Sequence, residues 1–110
     1  MTEEVSFNEW EKLDIRVGKI LKVEEIENAD KLYKLEVDVG EDKPRTLVAG
    51  IKQHYKAKEL TGKQVVIFCN LEPRKLKGIQ SQGMVLAAVN DEKISLLKPD
   101  KEMQEGSKIK

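Results

Sequence analysis

The sequence predicts an all-β domain, a five-stranded Greek-key barrel with short flanking helices, on three observations. Short runs rich in Val, Ile and Leu recur between turn signals, and Tyr33 to Val39 alternates apolar and charged residues with a period of two. One helix-patterned stretch falls between the third run and the fourth. A basic and polar connection, Asn70 to Gly83, joins Val65-Val66-Ile67-Phe68-Cys69 to Met84-Val85-Leu86-Ala87-Ala88. Both of those runs are β-rich enough to be barrel strands.

At the N-terminus, Ser6-Phe7-Asn8-Glu9 fits a capping box, with Phe7, Trp10 and Leu13 following on one side of a short helix. So short a helix must dock to be stable. It either caps an end of the barrel or offers Trp10 to a subunit contact. The first strand runs from Asp14 to Ile26, and its apolar phase breaks at Gly18, which predicts a bulge or coil there. Asn28-Ala29-Asp30 is a turn signal. The second strand places Tyr33, Leu35, Val37 and Val39 on one face, and Gly40 to Pro44 closes a loop to a third strand, Arg45 to Ala49.

Ile51 to Leu60 is helical in broken turns, with Ile51, Tyr55 and Leu60 inward and lysines outward, and Thr61-Gly62 stops it. Gln64 to Cys69 is the fourth strand and Met84 to Val89 the fifth. Ile94 to Leu97 adds a further short strand, and Pro99 to Lys110 reads as a polar tail. The pattern describes an OB-fold, in one domain over 1–110.

With aromatics at 5% of 110 residues, aliphatic side chains must build the core. Lys and Glu dominate the 36% of charged residues, a balance that matches a heat-adapted surface. One cysteine excludes an internal disulfide and fits a reducing cytoplasm. The acidic start lacks a signal pattern, and no apolar run is long enough to span a membrane as a helix. The formal net charge is zero, but it is unevenly distributed. Met1 to Asp42 holds 6 Lys/Arg against 13 Asp/Glu, whereas Lys43 to Ile79 holds 9 against 2. That asymmetry marks either a basic binding face or two solvated faces that differ.

Catalysis finds no support. His54 and Cys69 are the only residues of their types, so no His/Cys zinc set can form within one chain. Cys69 ends an apolar run as a small core residue, His54 sits among lysines, and the glycines are scattered singly rather than forming a phosphate loop. No cofactor or metal is expected.

Binding has more support. Arg74, Lys75 and Lys77 form either a solvated charge run or a set of phosphate contacts. On an extended loop Lys75 and Lys77 would point one way and Arg74 the other. Ser81 and Gln82 are either turn residues around Gly83 or polar contacts to ribose and base edges. Tyr33, Tyr55 and Phe68 read as core residues, which leaves few rings for stacking bases and favours a folded RNA recognised by shape.

The stretch NLEPRKLKGIQSQGMVLAA, with LDIRVGKI from Leu13, NADKLYKLEVDVG from Asn28 and RTLVAGIKQHY from Arg45, closely resembles the tRNA-binding domain family. Its members include free-standing tRNA-binding proteins and the C-terminal domain or β-subunit of methionyl-tRNA synthetase. Endothelial monocyte-activating polypeptide belongs to it too. The resemblance implies an OB-fold and a homodimer built through segments flanking the barrel, here 1–13 and 98–110. It implies binding to the outside corner of tRNA without sequence specificity; with no synthetase core in the sequence, a function in trans to a synthetase is expected. The RNA-facing positions carried over are Asn28, Lys31, Arg74, Lys75, Ser81, Gln82 and Met84, with Arg16 and Arg45 as weaker candidates. Many relatives place a histidine-proline before the NADKL turn, where this chain has Glu27. A related branch resembles homodimeric export chaperones that bind unfolded peptides, for which Leu76, Ile79 and Met84 could offer apolar surface.

Overall fold

The computed structural model describes residues 2–110. Its strands are β1 (Ile15–Glu25), β2 (Tyr33–Asp38), β3 (Arg45–Ala49), β4 (Gln64–Phe68), β5 (Arg74–Leu76), β6 (Ile79–Ser81), β7 (Met84–Val85), β8 (Ala87–Asn90) and β9 (Lys93–Leu96). Two four-residue helices accompany them, α1 (Phe7–Trp10) and α2 (Ala57–Leu60). A five-stranded antiparallel sheet in the order β3-β2-β1-β4-β7 curls into a nearly closed OB-fold barrel, with β5-β6 and β8-β9 as separate hairpins.

The alternation read in β2 is the one observed: Tyr33, Leu35, Val37 and Val39 are buried and the residues between them are not. They meet Ile20 of β1, Leu47 and Ala49 of β3, Val65 and Ile67 of β4, and Leu60 of α2 in one core. Ile51 and Leu60 point inward as expected; the stretch between them is turns followed by the single turn of α2, where the N-cap Lys56 N–H donates to the Glu59 carboxylate at 2.7 Å. Tyr33 donates its hydroxyl to the Tyr55 carbonyl at 2.8 Å, and the Tyr55 hydroxyl accepts the Leu96 N–H at 3.1 Å. The two tyrosines thereby tie β2 to β9 across the core.

The irregular apolar phase of β1 has a packing cause. Ile15 and Val17 are buried on one face of the strand, Gly18 and Ile20 on the other, so this end of β1 is covered on both sides. The register shift lies between Ile20 and Lys22, beyond the glycine. Gly18 serves close packing instead: a Cβ there would stand 2.7 Å from Val37 Cγ1 and 3.0 Å from Ile67 Cγ1. Gly18→Ala is therefore expected to overpack the core and lower stability by about 1–3 kcal/mol in a denaturant titration.

Four local expectations are corrected. Ser6 Oγ does accept the Glu9 N–H at 3.1 Å, but its hydroxyl donates to the Glu9 carboxylate at 3.4 Å, so the box is not reciprocal. The fifth strand is divided: Met84–Val85 pairs with β4, whereas Ala87–Asn90 turns away to pair with β9. The tail is structured. Val17 N–H donates to Ser107 O at 2.8 Å, Gly106 N–H to Val17 O at 2.8 Å and Ile109 N–H to Ile15 O at 2.8 Å, which occupies the edge of β1 that β2 leaves open. Gln64 secures the same segment by bonding the Met103 backbone and the Glu105 carboxylate. Phe68, finally, is only partly buried and stands outside the core cluster, registered between Ile15 and Met84.

Candidate nucleic-acid interface

The basic connection is a β-hairpin. Arg74 pairs with Ser81, Lys75 with Gln80 and Leu76 with Ile79, leaving Lys77-Gly78 as a two-residue turn. Both turn residues have positive φ, 50° and 79°, the geometry of a type I′ turn whose twist suits a hairpin. Arg74 and Leu76 thus share a face, Lys75 takes the other, and Lys77 stands at the tip, which corrects the extended-loop reading. Arg74, Lys75 and Lys77 are exposed, and none is in an ion pair among the described residues.

The hairpin meets the second predicted segment. Lys77 lines one groove with Asn28, Asp30, Lys31 and Leu32, so positions nearly fifty residues apart in sequence face a common cleft. Asn28 reaches it through a left-handed backbone conformation, φ 62°, which asparagine tolerates better than most residues. Lys52 anchors the loop, its N–H donating to Lys31 O at 3.2 Å and its ammonium pairing with Glu25 at 2.7 Å. On the hairpin's other side Arg74 lines a concavity with Leu71, Leu76, Ser81, Gly83 and Met84, the last of these 40% exposed.

Ser81 and Gln82 lie at the hairpin's root. Ser81 is 5% exposed; its Oγ accepts the Val48 N–H at 3.0 Å and donates to Gly83 O at 3.0 Å. Gln82 exchanges backbone and side-chain bonds with Thr46, N–H to Thr46 O at 2.8 Å and Thr46 N–H to Oε1 at 2.9 Å. These bonds join the hairpin to the edge of β3 that no strand pairs with. Gly83 follows with φ +141°, and a Cβ there would stand 2.9 Å from Phe68 O.

Arg16 and Arg45 are placed apart from the exposed cations. Arg16 grips both Asp14 oxygens, at 3.0 and 2.9 Å, and donates to Val39 O at 3.1 Å. Arg45 holds Glu41 in a two-bond fork at 2.8 and 2.9 Å and also donates to Cys69 O at 2.6 Å and Gln82 O at 3.0 Å. The Arg16 guanidinium holds Asp14 below the ordinary carboxylate range, and Arg45 does the same for Glu41, each against a smaller opposing effect of burial. Burial pushes the Cys69 thiol up, with Arg45 partly offsetting it.

A carboxylate whose folded pKa is depressed contributes stability above its unfolded value and loses it as pH falls through the folded one. The network at Asp14 and Glu41 is therefore expected to hold fully above about pH 5 and to weaken progressively below about pH 4. Glu41→Gln should flatten that acid limb when the thermal midpoint is followed from pH 7 to pH 2. An unchanged acid limb would show that Glu41 carries no such linkage.

Lys77 is read only within the basic run and not among the positions carried over by the resemblance, and Lys52 is not read as a site residue at all. A Lys-Gly pair flanked by Leu76 and Ile79 was the available hairpin signal for Lys77; Lys52 carried none, because its role is set by a tertiary contact. Among the described residues no cluster of three or more His, Cys, Asp or Glu could hold a metal ion, and no helix is long and apolar enough to cross a membrane.

A nearly closed OB-fold barrel that extends a cationic hairpin, free of ion pairs among the described residues, beside a loop carrying Asn28 and Lys31 defines a class of nucleic-acid-binding module. Residues 15–108 match the family described as "Putative tRNA binding domain", and the chain belongs to it. This family is a tRNA-binding domain, not a catalytic one. The methionine–tRNA ligase of Thermococcus kodakarensis is 56% identical over 108 residues, 98% of this chain but 14% of that protein. The chain thus spans about a seventh of the length of such relatives. Among solved structures, a MetRS-related protein from Pyrococcus horikoshii superposes with a TM-score of 0.90 at 35% identity, covering 98% of this chain and 99% of that one. The chaperone CsaA from Bacillus anthracis gives 0.89 at 30% identity, covering 98% and 100%.

Proposed function

We propose that this domain binds tRNA through its shape and backbone charge, without reading sequence, and presents it in trans to a methionyl-tRNA synthetase. The observation that carries the reading is the trio Arg74, Lys75 and Lys77, without ion pairs among the described residues, on a hairpin whose tip shares a groove with Asn28 and Lys31. Cations on a fixed scaffold suit a folded phosphate backbone, and Met84 beside them offers one apolar contact. The likeness to methionine–tRNA ligases supports the choice of synthetase. Action in trans draws support from the MetRS-related protein, whose own chain is covered almost entirely. The domain would carry no catalytic residues of its own and would work in the cytoplasm.

A homodimer built through 1–13 and 98–110 fits the same reading. Phe7, 70% exposed, lines an apolar groove with Trp10, Leu13 and Ile109, and two copies would place two hairpins on one tRNA. Sedimentation at micromolar protein should give a dimer; a clean monomer would remove that part of the reading.

The decisive experiment compares mixed tRNA with an unstructured RNA of equal length across a salt series. About three or four phosphate contacts predict a log–log slope between roughly −2 and −3 and a preference for tRNA. Aminoacylation by a separately added methionyl-tRNA synthetase should rise in the domain's presence. The likeness to CsaA and the exposure of Met84 favour a second reading, a homodimer that binds unfolded peptides. Feeble, slope-free RNA binding beside salt-insensitive binding of an unfolded polypeptide would select it.

A further inference from the structure

Ser81, Gln82 and Arg45 are polar side chains that tie the hairpin's root to the barrel. The hairpin forms its own sheet, with no backbone ladder to the five-stranded one. What joins its returning strand to β3 is the Ser81 hydroxyl, filling the gap between Val48 N–H and Gly83 O, and the Thr46–Gln82 exchange. Arg45 adds the third tie. From the start of β3 its guanidinium reaches Cys69 O before the hairpin and Gln82 O after it, so one planar group spans both ends of the connection. Glu41 holds that guanidinium from the far side. Ser81 is buried with donor and acceptor both engaged, and Arg45 has its donors directed at two carbonyls and a carboxylate.

We infer that Ser81 and Arg45 are positioning residues for RNA binding, which lock the cationic hairpin against the open edge of β3 and do not touch the RNA. The inference rests on the hairpin's role in binding tRNA. Three cations on a hairpin anchored at one root keep their spacing only while that root is fixed. Loss of the seam leaves the hairpin's three cations in place yet lets the hairpin swing, so the phosphates are met one at a time rather than together.

The test is a pair of double-mutant cycles on the full domain, Ser81→Ala with Arg74→Ala and Arg45→Gln with Arg74→Ala, read as tRNA affinity. Hydrogen exchange at the Val48 and Thr46 amides is measured on the RNA-free proteins. Each single variant is expected to weaken binding about tenfold, and each double variant scarcely further, because the second change acts through the hairpin already loosened. Ser81→Ala should also make the salt dependence shallower, although serine carries no charge, and should speed exchange at Val48. Multiplicative losses of about a hundredfold, with an unchanged salt slope for Ser81→Ala, would mean direct RNA contact and overturn the assignment. So would an unaltered Val48 amide. If Ser81→Ala does not fold, the Arg45→Gln cycle decides by the same criterion. A wild-type domain that bound no tRNA would remove the RNA role altogether, while faster exchange at Val48 would still report the seam; the two failures are therefore separable.

Discussion

Replacing Arg74, Lys75 and Lys77 together by alanine is expected to lower tRNA affinity by about two orders of magnitude, at roughly 1 kcal/mol for each phosphate no longer engaged. The log–log salt slope should become less negative by about 2, because each neutralised phosphate releases a little less than one counterion. Folding stability should change by no more than about 0.5 kcal/mol, since all three side chains are exposed and unpaired. Lys77 already occupies a left-handed turn position, so alanine there introduces no new class of strain. The control is neutralisation of Lys93, Lys98 and Lys101, exposed cations outside the hairpin. Equal losses from both sets would show that overall charge, rather than this hairpin, attracts RNA.

Ile67→Ala should produce the largest loss of stability, about 3–4 kcal/mol, and lower the thermal midpoint by more than about 10 °C. Ile67 is fully buried in β4. Its Cγ1 lies beside the site where Gly18 would carry a Cβ, and its Cγ2 beside that of Gly83, so the side chain fills the space both glycines leave. Truncation opens a cavity bounded by strands held in ladders on either side, which limits collapse. Ile67→Val, which keeps both branches at Cβ, should cost only about 0.5–1.5 kcal/mol. Calorimetry of the two variants checks the pair; a similar cost for both would mean that the site collapses around the gap.

Much of the barrel was legible because its strands carry their burial as a pattern. β2 alternates cleanly since one face meets the core and the other does not, and β3 was read with its observed limits. β1 was harder. Its first residues are buried on both faces, which erases a period-two signal, and the glycine that marks close packing resembles one that marks a bulge. The tail was least legible, because a ladder formed with residues some ninety positions away leaves no trace in local composition.

The candidate site divides along similar lines. Asn28, Lys31, Arg74 and Lys75 are exposed around the hairpin, in keeping with their polar side chains, and Met84 is an exposed apolar residue beside them. Arg16 and Arg45 are equally basic but are held by Asp14 and Glu41, and the further bonds they make to distant carbonyls are set by the fold alone. Ser81 looked like a ligand-facing hydroxyl, yet its surroundings make it a joint between two sheets.

The tail's place on β1 bears on how the chain reaches its native state. During synthesis from the N-terminus, the edge of Ile15 to Val17 lacks its partner until Gly106 to Ile109 have been made. For that interval it is an open strand edge with apolar residues on it, the kind of surface that pairs with whatever strand is nearest. Closure awaits the longest-range contacts of the molecule, which places this domain among slowly folding, high-contact-order β proteins. Loss of Gly106 to Ile109 would thus leave an adhesive edge on the first strand, and self-association during biogenesis would be its first symptom.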